Sequence, residues 1–129
     1  MSQVRRAYSG APWEAKVGYC RAVRVGDQVV VTGTVGVDET GKAVSPDPAE
    51  QARRAYQIIE KALQEVGAEM RHVVRTRQFV TDVADWEAVG AVHGEVFADH
   101  PPATTLIGIA ALISPDLKIE IEADAIIYD

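Results

Sequence analysis

The residues best suited to chemistry are two carboxylates near the end of the chain. The segment Lys118-Ile119-Glu120-Ile121-Glu122-Ala123-Asp124 alternates apolar and charged positions. In a strand, that alternation turns Lys118, Glu120, Glu122 and Asp124 to one face. Glu120 and Glu122 then stand ~7 Å apart. At that spacing each carboxylate opposes ionisation of the other. One pKa rises toward the range in which a carboxyl group can take up and return a proton. The same pair serves equally as solvated surface charge or as part of a salt network between chains.

Other candidates read mainly as structural. His93 falls on an apolar helical stripe, where a lone imidazole is usually a packing residue, and His72 and His100 read as loop residues. No His/Asp/Glu spacing suggests a metal. Cys20 is the only cysteine, so neither an intrachain disulfide nor a zinc thiolate cluster is available. Ser2, Ser9, Ser45 and Ser114 lie near turns or the terminus, and none occupies a nucleophile elbow. Gly33-Thr34-Val35-Gly36 lacks the lysine and helix of a phosphate loop. Thr104 and Thr105 read as strand formers with no base beside them. Tyr19 is either a rim hydrogen-bonding group or an amphipathic residue half-buried at an interface. Trp13 either walls a pocket or seals a subunit edge. Arg21, Arg24, Arg75 and Arg77 lie in strand-like segments, with Arg75 and Arg77 on one face. Each is a partner for surface acids or a cation for a ligand.

These side chains must be positioned by a small number of elements. Residues 19–25 and 28–34 flank Gly26-Asp27 and read as a hairpin. Glu39-Thr40-Gly41-Lys42 reads as a turn. Asp47-Pro48-Ala49-Glu50 starts a helix, with Asp47 as cap and Glu50 placed for a capping box. Ala52, Ala55, Tyr56, Ile59, Ala62, Leu63 and Val66 then form one apolar stripe, stopped at Gly67. Residues 73–80 read as a strand. Asp85 caps a second helix with Trp86, Val89, Val92, His93, Val96 and Phe97 inward, ended by Pro101-Pro102. Residues 104–112 and 117–128 read as the last two strands. Two helices can cover only one face of this sheet. The 104–112 run is apolar or small on both sides, which calls for a second cover, most economically another copy of the chain.

The totals agree with one α+β domain over residues 1–129. The chain has 129 residues, 47% hydrophobic and 25% charged, with formal net charge −6. The negative charge argues against nucleic-acid partners, which need a basic footprint. No apolar run approaches the ~20 residues of a membrane helix. The first ten residues carry Arg5 and Arg6 but no signal-peptide core. A single cysteine suits a reducing, cytoplasmic compartment.

Four stretches give the sequence a family likeness: Gly18-Tyr19; Val25-Gly26-Asp27 through Val31-Thr32-Gly33; Gln78-Phe79-Val80-Thr81-Asp82; and Pro102-Ala103 through Lys118-Ile119-Glu120-Ile121-Glu122-Ala123. In this order and spacing the chain resembles the RidA/YjgF superfamily of reactive-intermediate imine deaminases over nearly its whole length. The resemblance implies a chorismate-mutase-like fold, a mixed sheet with two helices packed on one face. It also implies a homotrimer with three small-molecule clefts, each lined by two neighbouring subunits, and no metal or organic cofactor. It assigns Glu120 the catalytic role of orienting or activating water, and Tyr19, Thr32, Gly33 and Thr104 to substrate binding. In the deaminase members an arginine follows the Pro-Ala pair and grips a substrate carboxylate with its planar fork; here Thr104 takes that place. The family's helix-borne asparagine aligns with Gly90 and its pocket cysteine with Leu106.

The implied activity is hydrolysis of imine or enamine-type metabolites, with a substrate altered by Thr104. The alternative is a non-catalytic trimer that binds a small ligand or a protein partner. A third reading, endoribonuclease or translation inhibitor, comes from names given to parts of the family, and the charge of −6 opposes it.

Overall fold

The computed structural model describes residues 3–129; Ser2 lies outside them. Its strands are β1 (Val4–Ala7), β2 (Ala22–Val25), β3 (Gln28–Val35), β4 (Val73–Val80), β5 (Ala103–Gly108) and β6 (Ile119–Ile126). Its helices are α1 (Pro12–Val17), α2 (Pro48–Glu65) and α3 (Trp86–Val96). The strands form one mixed sheet in the order β1-β2-β3-β6-β4-β5. Only β4 and β5 run parallel; the other neighbours are antiparallel. The expected α+β sheet with helices on one face is therefore present.

The expected helix stripe is the spine of the core. Ala52, Ala55, Tyr56, Ile59, Ala62, Leu63 and Val66 are all buried. Asp47 caps α2 by accepting from the Ala49 N–H. Glu50 does not complete a capping box; it pairs with Arg53 instead. The stripe packs on the inward residues of the sheet: Val29 and Val31 of β3, and Ile119, Ile121, Ala123 and Ala125 of β6. Gln51, fully buried in the first turn of α2, donates to the carbonyls of Ser45 and Asp116 and accepts from the Lys118 N–H. It thereby fixes the start of β6, the strand that carries Glu120. Gly36 has no side chain because a Cβ there would overlap the backbone of Gln51.

Four local readings differ from the structure. β1 and α1, short elements with little periodicity of their own, precede the hairpin. The first hairpin strand starts at Ala22 rather than at residue 19, because the chain leaves α1 through Gly18 at φ 89° before it joins the sheet. Trp86 is 55% exposed rather than inward, since it opens α3 while Val89, Val92 and Phe97 make the contact. β5 ends at Gly108, and the 109–112 stretch leaves the sheet.

Neither α2 nor α3 covers the other sheet face, which we call the helix-free face. Val4 and Val25, paired across β1 and β2, and Val30 and Ile126 farther along are each about half exposed there. No helix among the described residues is long and apolar enough to cross a membrane.

Candidate active site

The site is built where β3 meets β6. Val31 pairs with Ala123 and Thr34 with Ile121, so Thr32 and Gly33 together stand opposite Glu122. This β-bulge bends the strand and opens the sheet surface beside it. Glu120 and Glu122 project from β6 on the helix-free face while Ile119, Ile121 and Ala123 are buried on the other side, as the alternation predicts. The Glu120 side chain lies across Gly33; a Cβ on that glycine would overlap Glu120 Oε2. Gly33 is therefore a space requirement. Its φ is not in the left-handed region.

A cleft of about 320 Å³ opens here, lined among others by Trp13, Tyr19, Arg21, Thr32, Gly33 and Glu120. Four of the five expected site residues thus share one cleft within a single chain. Burial pushes the Glu120 carboxyl above the usual carboxylate range, the neighbouring Glu122 pushes it further, and Arg21 pulls it partly back. Glu120 has no ion-pair or hydrogen-bond partner among the described residues, whereas Glu122 pairs with Arg77 at 3.6 Å. Arg77 also holds Asp124 at 3.1 Å.

α1 supplies the back wall. Pro12 opens this single turn and a half, and Gly18 closes it by donating to the Glu14 carbonyl. The turn buries Glu14 against Arg21, with Arg21 Nη2 2.9 Å from Glu14 Oε2. Arg21 also donates to the Gly33 carbonyl at 2.9 Å and to Thr34 Oγ1 at 3.3 Å. The Ser9 hydroxyl and amide donate to the Glu14 carboxylate. Burial alone would raise the Glu14 carboxyl; the Ser9 hydrogen bonds and the Arg21 charge outweigh it and hold the group low. Trp13 and Val17, on the same turn, wall the cleft.

Thr104 lies elsewhere in the chain. It pairs with Thr76 across β4 and β5, on the helix-covered side of the sheet and at its far edge. Its Oγ1 accepts from Thr76 Oγ1 at 2.7 Å and from Gln78 Nε2 at 3.1 Å, and Thr76 Oγ1 is 2.8 Å from His93 Nε2. With two bonds accepted, the Thr104 proton is free to point outward. Gln78 Oε1 is buried without a partner. Burial pushes His93 down, so this edge is polar but neutral. His93 packs against Phe97 and Tyr56 as well, which combines packing with hydrogen bonding.

The other candidate arginines make hydrogen bonds, although Arg75 Nε is buried without a partner. Arg24 donates to the carbonyls of Gly26 and Val66, and Arg75 donates to Thr105. His72, expected in a loop, is buried in a short 3₁₀ turn and bonds to the Glu69 amide and the Tyr128 carbonyl. The Glu14–Arg21 pair is the part of the site that patterning missed. The Pro12…Gly18 bracket, a helix start and stop six residues apart, is the signal that could have found it.

A family described as Endoribonuclease L-PSP matches residues 9–127. The crystal structure of Rv2704 from Mycobacterium tuberculosis, a member of the YjgF/YER057c/UK114 family, superposes with a TM-score of 0.89 at 44% identity, covering 97% of this chain and 100% of that one. The chain belongs to the RidA/YjgF family. Within the family it is 32% identical to the human protein named 2-iminobutanoate/2-iminopropanoate deaminase, over 97% of this chain and 92% of that protein. It is 36% identical to the Streptomyces coelicolor protein SCO2049, over 95% and 91% respectively. Some members of this RidA/YjgF family thus carry the name of an imine deaminase.

Proposed function

We propose that this protein hydrolyses the C=N bond of imine or enamine-type metabolites, at small-molecule clefts completed by neighbouring copies in a homotrimer. The observation that carries this reading is the Glu120 carboxyl: partly buried, unpaired, pushed upward, and held over Gly33 at the cleft. A carboxylate so placed accepts a proton from water as the water oxygen bonds to the imine carbon. It then returns the proton to nitrogen, giving the carbinolamine R₂C(OH)–NH₂; the hydroxyl proton passes to nitrogen in turn, the C–N bond breaks, and ammonia leaves: R₂C=NH + H₂O → R₂C=O + NH₃. An enamine enters the same sequence after gaining a proton on carbon. The balance requires only water. Tyr19 and Thr32 offer hydroxyls to the substrate, and Gly33 lets it approach the backbone. In a trimer, the Thr104 edge of one copy would close the cleft of the next. The half-exposed valines and isoleucine of the helix-free sheet face support such an assembly, as does the family.

The test is decay of an imine generated in situ, followed with and without purified protein. We expect acceleration, and Glu120→Gln should lower turnover by ~10²–10⁴-fold while leaving the fold intact. No acceleration, or an unaffected Glu120→Gln, would sink the reading.

The neutral hydrogen-bonded edge around Thr104 favours a second reading, a trimer that binds a small ligand without turning it over. Tight binding in a thermal-shift screen, with no turnover of any imine, would select it. The endoribonuclease reading remains opposed by the charge of −6, and salt-sensitive RNA cleavage lost in Glu120→Gln would restore it.

A further inference from the structure

We infer that the Glu120 cleft selects against carboxylate-bearing imines and takes neutral or positively charged imines derived from amines. The inference rests on the deaminase reading above and adds a substrate class to it.

The charges around the cleft decide the matter. Arg21 is the only cation in its lining, and its charge is already matched. Arg21 and Glu14 are 5% and 4% exposed and form an ion pair. The Arg21 Nε donates to Glu14 and Ser9, and Nη1 is committed to the Gly33 carbonyl and to Thr34. A planar guanidinium facing backward in this way cannot turn its fork to a ligand carboxylate. On the acid side, Glu122 is shared with Arg77, and Glu120 has no partner. Among the described residues the cleft therefore presents one carboxylate without a partner, in a lining that also holds Trp13 and a Tyr19 whose ring lies 5.6 Å from the Arg21 guanidinium. A ligand carboxylate would meet like charge, offset only by an Arg21 already paired with Glu14. An iminium meets opposite charge at Glu120, which favours a cation. If the β5 edge of a second copy closes the cleft, it brings Thr104, Thr76, Gln78 and a His93 kept neutral by burial; Arg75, the cation bonded to that strand, stands on the opposite sheet face from Thr76 and donates to Thr105.

For an aldimine the balance is R–CH=NH + H₂O → R–CHO + NH₃. For its protonated form it is R–CH=NH₂⁺ + H₂O → R–CHO + NH₄⁺. In both, a C–O bond forms, the C–N bond breaks, and no electrons are exchanged.

The test compares two substrates made in situ, the aldimine from oxidation of a primary arylalkylamine and 2-iminopropanoate. The full-length protein should favour the aldimine in kcat/KM by about tenfold or more, because like charges set together cost several times thermal energy. Glu14→Gln leaves the Arg21 charge unmatched and should reduce that preference by about fivefold or more. Preference for 2-iminopropanoate in the unaltered protein overturns the inference and leaves the deaminase reading standing. A ratio unmoved by a folded Glu14→Gln overturns the role given to Arg21. If neither imine is hydrolysed, the deaminase reading fails, and binding decides the charge preference. Benzylammonium should then raise Tm more than benzoate and lose that advantage in Glu120→Gln; the reverse order overturns it.

Discussion

Gly33 and Glu120 form a single structural unit: the bulge sets them close together and the missing side chain leaves room for the carboxylate. A methyl group at residue 33 would collide first with Oε2 of Glu120, the movable end of a flexible side chain. Gly33→Ala should therefore leave stability within about 0.5 kcal/mol while displacing the carboxylate and lowering turnover; paired urea melts and imine-decay rates check this. Gly36→Ala is the contrast, because its Cβ meets the backbone of Gln51, and overpacking of that kind costs about 1–3 kcal/mol. Glu120 also leaves a signature in stability. Its folded pKa lies above the ordinary carboxylate value, so the folded state holds its proton more firmly than the unfolded chain. Stability then falls as pH rises through the interval between the two values. Glu120→Gln should be the more stable protein at neutral pH, with the difference vanishing below about pH 4, where both states are protonated. Denaturant midpoints at several pH values read this directly, and a less stable variant at neutral pH would contradict the burial and Glu122 repulsion assigned to the group.

At the scale of elements, what was legible depended on length and periodicity. α2 shows a long apolar stripe between a capping aspartate and a glycine, and every stripe residue is buried as expected. The β6 alternation likewise gave the face of Glu120. β1 and α1, of four and six residues, are too short to carry a period or to stand alone, since helix nucleation is unfavourable without tertiary support. Their support is Arg21, seven residues from Glu14, and the pairing of β1 with β2; a buried ion pair and a strand ladder leave no apolar period in the sequence. Thr104 shows the same limit: its strand was readable, but its bonds to Thr76 and Gln78 depend on the parallel register of β4 and β5. Gln51 illustrates how much a non-local bond can matter. It joins the start of α2 to the loop before β6 through two hydrogen bonds, to the Asp116 carbonyl and the Lys118 N–H, and a third ties it to Ser45. Gln51→Leu keeps the volume but leaves one amide and two carbonyls unpaired, and should cost about 2–3 kcal/mol in a denaturant melt.

For the whole molecule, the decisive geometry is that one chain separates what the proposed function needs together. Glu120 projects from the helix-free face of the sheet, and Thr104 sits on the covered side of the far edge. If the cleft is completed by a second copy, assembly and activity must fail together. Val30 offers a clean test: it is 53% exposed on the helix-free face and pairs with Asp124. Val30→Asp leaves the core untouched, yet sets two carboxylates side by side on a surface that would have to be buried, a burden of several kcal/mol for an interface. Sedimentation should show a folded monomer, and imine turnover should fall with it. Thr104→Arg supplies the complementary gain, a cation at the neutral edge that should confer hydrolysis of 2-iminopropanoate on the assembled protein. Adding Val30→Asp to Thr104→Arg should abolish that gain, because the new arginine and Glu120 would then lie on opposite sides of the same sheet. A monomeric double variant that still hydrolyses 2-iminopropanoate would mean that the site is complete within one chain.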